Sequence, residues 1–131
     1  MRICFALLAV LATAGLVWAS QQPPQQPLKL SYFPDKVVEF GHTPHTGTLS
    51  LDCAACHHEK VDGEIVKCST SGCHDVFDRR DRSEASFYNM VHGRGSAEVQ
   101  SCLACHKDAA RGKDRDEARR LTSCKGSACH P

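Results

Sequence analysis

Eight of the nine cysteines fall into four pairs, and a histidine directly follows the second cysteine of every pair. The pairs are Cys53-Ala-Ala-Cys56-His57, Cys68-Ser-Thr-Ser-Gly-Cys73-His74, Cys102-Leu-Ala-Cys105-His106 and Cys124-Lys-Gly-Ser-Ala-Cys129-His130. Two have the short C-x-x-C-H spacing and two the longer C-x-x-x-x-C-H spacing, in alternation. The short spacing is the attachment signature of a c-type haem. Two intervening residues let one turn of chain deliver both sulfurs to the two vinyl groups on one porphyrin edge. The next residue then points its imidazole at the iron. A four-residue spacing reaches the same vinyls through a bulged loop.

Three other chemistries use paired cysteines. Exported proteins form disulfides, Cys and His bind zinc, and C-x-x-C pairs act as redox dithiols. A single pair would leave all of these open, and the longer motif alone is a weak signal. Four repeats in one phase favour haem, because disulfides give no reason for the histidine. Zinc does not require it immediately after the second cysteine each time.

The remaining histidines are His42, His45, His58 and His92, which makes four for four irons. Met1 belongs to the leader, so only Met90 could supply a thioether ligand. The simplest accounting is four covalent c-type haems, each closed by two histidines. With both axial positions filled the iron has no open place for a substrate, which favours electron transfer over catalysis. The absence of methionine ligation points to low potentials. A multihaem reductase of metal ions or small oxyanions is the alternative, and it needs one ligand to be open or displaceable.

The elements that position these groups must be sparse. Arg2 followed by the apolar run Ile3 to Trp18 is the pattern of a secretory signal, residues 1–19, with cleavage after Ala19. A membrane anchor is the competing reading, but the run is short for a span and lacks a basic stop. Cys4 leaves with the signal. Residues 20–27, containing QQPPQQP, form a flexible polar leader. Residues 28–131 are then one domain. The mature chain keeps 15 of the 16 basic residues against 15 acids, which is not the balance of a nucleic-acid binder. It holds four Phe (Phe33, Phe40, Phe77, Phe87), two Tyr (Tyr32, Tyr88) and no Trp, too little to build a large apolar core. At about 28 residues per haem, the porphyrins must supply much of the interior, and folding should depend on their attachment.

The alternation of short and long motifs, with His42-x-x-His45 before the first, His58 after His57, and His92 between the second and third, resembles the class III cytochromes c. These are the tetrahaem cytochrome c3 family of sulfate-reducing bacteria. The resemblance implies the axial pairs His57 with His42, His74 with His58, His106 with His45, and His130 with His92. It places Phe40 beside the first haem. It also implies a small multihaem fold, with few short helices, a small two-stranded sheet and much irregular chain.

Locally, Asp62-Gly63 forms a tight turn, and Asp81-Arg-Ser-Glu84 has the form of a capping box for a helix ending at Gly93. That would put His92 in the last turn. Asp114 to Leu121 forms a short charged helix. By resemblance the protein is a periplasmic, monomeric carrier without stable membrane insertion. Its partners would be hydrogenase, formate dehydrogenase and membrane-bound cytochrome complexes, and haem propionates would add proton uptake to reduction.

The family's docking surface is a lysine-rich ring around the fourth haem. Here the basic residues are mostly arginine: Arg79, Arg80, Arg82, Arg94, Arg111, Arg115, Arg119 and Arg120, with Lys113 and Lys125. Asp78, Asp81, Asp114, Asp116 and Glu117 interleave with them. A solvated helix face has the same composition.

Overall fold

The computed structural model describes residues 22–61, 63–96 and 99–131. The expected secretory signal, residues 1–19, and its cleavage site lie outside the described residues. No described helix is long and apolar enough to cross a membrane.

Strand β1 (Leu28–Phe33) pairs antiparallel with β2 (Lys36–Phe40). Pro34-Asp35 makes the turn, where proline presets φ for the bend. Leu28 lies opposite Phe40, and Leu30 opposite Val38. Lys29 and Glu39 form a cross-strand ion pair at 3.6 Å. The register shifts between Leu30 and Phe33. Successive strand residues ordinarily face opposite ways; at this irregularity the neighbours Tyr32 and Phe33 both turn inward and line one pocket. Strands β3 (Lys60–Val61) and β4 (Glu64–Ile65) form a second, minimal hairpin. It closes through Gly63 at φ +81°, as expected from the sequence, although Asp62 lies outside the described residues.

A six-residue π-helical turn, Thr43–Thr48, follows β2, and His42 stands at its N-cap. Helix α1 (Phe87–His92) is capped by Ser86, whose Oγ accepts from the Asn89 amide at 3.1 Å. Helix α2 (Cys102–Ala109) is capped by Ser101, and α3 (Arg115–Thr122) by Asp114. The Asp114 carboxylate accepts from the amides of Asp116 and Glu117 at 2.9 Å each. The charged helix expected from Asp114 therefore forms one residue later.

The capping-box expectation is corrected. Asp81 accepts from the Ser83 amide at 2.8 Å, closing its own turn, and α1 starts only after Ser86. Ser86 is fully buried and donates from Oγ to the Asp81 carbonyl, so it joins the turn to the helix. Gly93 does end α1, and His92 occupies the last turn.

The polypeptide contributes little core of its own. Among the described residues, Phe87 at 7% exposure is the buried apolar side chain, accompanied by Ser86, Ser101 and Ser127. The fold is the expected class: a few short helices, small antiparallel hairpins and much irregular chain.

Candidate haem sites

The two short motifs are built on helical turns. Cys53–Ala55 is a single 3-10 turn capped by Asp52, and the His57 amide donates to the Cys53 carbonyl at 2.9 Å. Cys102, Cys105 and His106 lie on α2, where a spacing of three or four places side chains on one face. The two long motifs close differently. Each passes through a glycine in the left-handed region, Gly72 at φ +83° and Gly126 at +64°, a conformation that costs other residues strain. The loop of the second motif is shut by the His74 amide on the Cys68 carbonyl at 3.0 Å. That of the fourth is shut by Ser127, whose Oγ accepts from the amides of Cys129 and His130. It is tied to α3 by the Ala128 amide on the Arg120 carbonyl.

The histidines face each other in four couples. His42 and His57 have ring centres 6.5 Å apart and are inclined by 3°. His45 and His106 are 6.1 Å apart, His58 and His74 5.9 Å, and His92 and His130 6.3 Å. A metal–imidazole bond is about 2 Å, and each ring centre lies roughly another ångström beyond its nitrogen. Two imidazoles on opposite faces of one iron therefore have centres about 6 Å apart.

Five of the second ring nitrogens lie against backbone carbonyls. His45 Nδ1 lies 2.7 Å from the Gly41 carbonyl, His74 Nδ1 2.6 Å from that of Glu84, and His92 Nδ1 3.1 Å from that of Tyr88. His106 Nδ1 is 3.0 Å from the Leu121 carbonyl, and His130 Nδ1 3.4 Å from that of Val37. A carbonyl accepts only from N–H, so each of these rings keeps its Nε2 lone pair for a metal and gains basicity. His42 Nδ1, by contrast, is buried with no partner. Burial, then the neighbouring His57 and His45, lowers the proton affinity of His42. For His92, burial outweighs the carbonyl of Tyr88, which acts the other way. Both rings are thereby favoured in the neutral form that binds metals.

None of the eight described cysteines is joined in a disulfide. Burial pushes the thiols of Cys56, Cys68 and Cys129 above their usual range. That of Cys102 reaches about 11, through burial and then the nearby sulfurs of Cys56, Cys68 and Cys129. Cys102 still has open surface as a residue; the mass of chain around its sulfur is what disfavours the thiolate. Among the described residues, no three His, Cys, Asp or Glu side chains converge as a metal cage would require. The facing rings, the carbonyl-anchored nitrogens and the paired cysteines beside them fit c-type haems.

Aromatic residues line the sites. Phe40 meets His42 edge-on at 4.8 Å and stacks on His45 at 5.1 Å. Tyr88 stacks on His92 at 4.2 Å. Sequence reasoning singled out Phe40 but passed over Tyr32, Phe33 and Tyr88. A hint was present in the alternation of Leu28 to Phe33 and Lys36 to Phe40 around Pro34-Asp35, which marks the hairpin. One cavity is lined by Tyr32, Phe33, Phe87, His92, Cys124 and His130, with Lys36 and Arg79 on its wall. A second gathers His58, His74 and Cys73 beside Glu59 and Glu84.

Of the expected basic patch, Arg79 lies over the Phe33 ring at 5.0 Å and Arg82 over Tyr88 at 5.6 Å, next to the fourth site. Arg111 and Lys113 instead pair with Asp108 and Glu117, in the manner of a solvated helix face.

Comparison with known proteins agrees with this geometry. The class III cytochrome c family matches residues 18–130. Cytochrome c3 of Nitratidesulfovibrio vulgaris (Hildenborough) is 36% identical over 129 residues, covering 97% of this chain and 95% of the relative. The 26 kDa cytochrome c3 of Desulfomicrobium norvegicum is 33% identical over 89 residues, 66% of this chain and 75% of that one. The oxidised cytochrome c3 of Desulfovibrio desulfuricans solved at pH 7.6 superimposes with a TM-score of 0.67 at 38% identity. It covers 85% of this chain and 99% of its own.

The fold and the four Cys–His sites define a small c-type cytochrome. The chain belongs to the class III cytochrome c family, whose members bind c-type haem and serve as multihaem electron carriers.

Proposed function

We propose that this chain carries four covalent haems, each held between two histidines, and moves electrons at low potential in the periplasm. The observation that carries this reading is the set of four facing imidazole couples, 5.9–6.5 Å between ring centres, each beside a Cys–Cys–His motif. The ligands are His57 and His42 for the first haem, His74 and His58 for the second, His106 and His45 for the third, and His130 and His92 for the fourth. Cys53, Cys56, Cys68, Cys73, Cys102, Cys105, Cys124 and Cys129 form the thioethers.

When bound, each haem supplies reversible one-electron exchange between ferric and ferrous iron. The chain's residues do the rest. Carbonyls on Nδ1 raise imidazole basicity and favour the ferric state, which keeps potentials low. Adjacent His57 and His58 bind different irons, as do His42 and His45, so a short segment sets the spacing of several sites at once. Lys36 beside the fourth site suits an acidic partner surface, and steering by such charge raises association rates. Hydrogenase or formate dehydrogenase as donor and a membrane-bound cytochrome complex as acceptor complete the proposed route. Residues 1–19 act as the export signal and residues 28–131 as the functional domain.

Pyridine haemochrome analysis with mass spectrometry on the purified holoprotein tests the count directly. Four covalent haems per chain are expected, with low-spin spectra and no carbon monoxide binding to the reduced protein under native conditions. Fewer haems, or stoichiometric carbon monoxide binding, would sink the four-closed-site reading and favour a reductase.

A further inference from the structure

We infer that Tyr32 is a positioning residue that ties the second haem site to the fourth and sets the potentials of those two haems. The inference rests on the tetrahaem assignment above. The hydroxyl of Tyr32 lies 2.7 Å from Ser69 Oγ, across 37 residues of chain and partly out of water. Ser69 directly follows Cys68, so this bond grips the loop that presents the second pair of sulfurs. The ring of the same tyrosine lines the cavity of His92, His130 and Cys124. One side chain thus lines one site and holds the motif loop of another.

Its ring is held from several directions. Tyr32 stacks on Phe77 at 4.9 Å and 10°, and meets Phe87 at 4.4 Å and 50°. Phe77 follows the second motif and Phe87 opens α1, which carries His92. The backbone repeats the link: the Val76 amide donates to the Ala85 carbonyl, and the Phe87 amide returns to the Val76 carbonyl. His74 Nδ1 reaches the Glu84 carbonyl in the same stretch. On the other side, Arg79 bridges Asp35 at the hairpin turn and covers Phe33. The register shift in β1 turns Tyr32 and Phe33 inward together.

Two separable effects follow. The ring keeps water from one wall of the fourth site, and a drier site disfavours the more positive ferric state. Losing the ring should lower the fourth potential. The hydroxyl bears on the second site through Ser69, so losing it alone should disturb the second haem while the fourth stays put. A phenylalanine would pack the same cluster, which is why the hydroxyl can be tested apart from the ring.

The experiment uses holoprotein carrying Tyr32→Phe, Ser69→Ala or Tyr32→Leu, with each haem's potential followed by NMR during redox titration. Haems are counted first by pyridine haemochrome in the unsubstituted protein, and a count other than four overturns the tetrahaem assignment itself. With four haems present, Tyr32→Phe and Ser69→Ala should move the second haem's potential by the same amount. Tyr32→Leu should move the second and also lower the fourth. The first and third should hold in all three. If Tyr32→Phe leaves every potential in place, or Tyr32→Leu shifts all four alike, Tyr32 is packing alone and the inference is wrong. Should Tyr32→Leu fail to mature, the two milder variants still decide the hydroxyl's role.

Discussion

Phe40 and Tyr32 both sit between two of the candidate haem sites, but they reach that position in opposite ways. Phe40 is two residues before His42 and five before His45, and it lies against both rings. One short stretch of chain, the end of β2 and the π-helical turn, carries the aromatic and the two imidazoles together. Tyr32 belongs to a cluster drawn from three separate segments: β1, the residues after the second motif, and the start of α1. Its contacts are with Phe77, Phe87 and Ser69 rather than with a ligand ring. The first arrangement acts on ligands directly; the second acts on them through packing and a hydrogen bond. A site built locally is fixed by sequence spacing, whereas one assembled at a distance needs its whole neighbourhood to be folded.

The largest effect expected from this contrast is on stability. Phe87→Ala empties the centre of the Tyr32 cluster and should cost about 3–5 kcal/mol in chemical unfolding of the holoprotein. Phe40→Ala should cost less, yet shift the potentials of the first and third haems, because its ring lies on His42 and His45. Equal stability losses with unmoved potentials would break the distinction.

Next is the joint between the two regions. Ser101 caps α2, which carries the third motif, and its hydroxyl donates to the Gly93 carbonyl at the end of α1. Ser101→Ala should cost about 1 kcal/mol through the cap alone, or more because the residue is buried. Thermal unfolding would check this, and a variant as stable as the parent would show that the two helices stand independently.

The smallest effect is at the edge of the Tyr32 region. The Arg79 hydrogen bond holds the Asp35 carboxyl below its ordinary range, in an exposed pair. A lowered folded-state pKa gives stability that is present above the unfolded value and lost as pH falls through the folded one. The stability difference between the parent and Asp35→Asn should therefore be small at neutral pH and shrink as pH falls below about 4. A difference that grows on acidification would contradict the assigned sign.

Much of the candidate site was legible from residue order. The Cys–Cys–His repeats need only a few consecutive residues to bring two sulfurs to one edge of a porphyrin and an imidazole to its iron. The glycines of the long motifs and the end of α1 at Gly93 are local in the same sense. The start of α1 was not, because Asp81 met the pattern of a cap while its carboxylate was taken by Ser83, and buried Ser86 did the capping. Whether a short polar side chain caps a helix or closes its own turn depends on which residue is buried, and spacing does not carry that information.

The sequence by itself determined the number of Cys–His motifs, the matching number of remaining histidines and the family they resemble, because covalent attachment and metal ligation are set by residue type over short spans. The tertiary structure alone decided what surrounds those sites. It chose the carbonyls that orient five imidazoles, left His42 Nδ1 without a partner, and brought Tyr32 onto Ser69 from 37 residues away. These are contacts between distant segments, formed only when the hairpin, the second motif and α1 pack together. Their geometry comes from that shared packing, which no local stretch of chain contains.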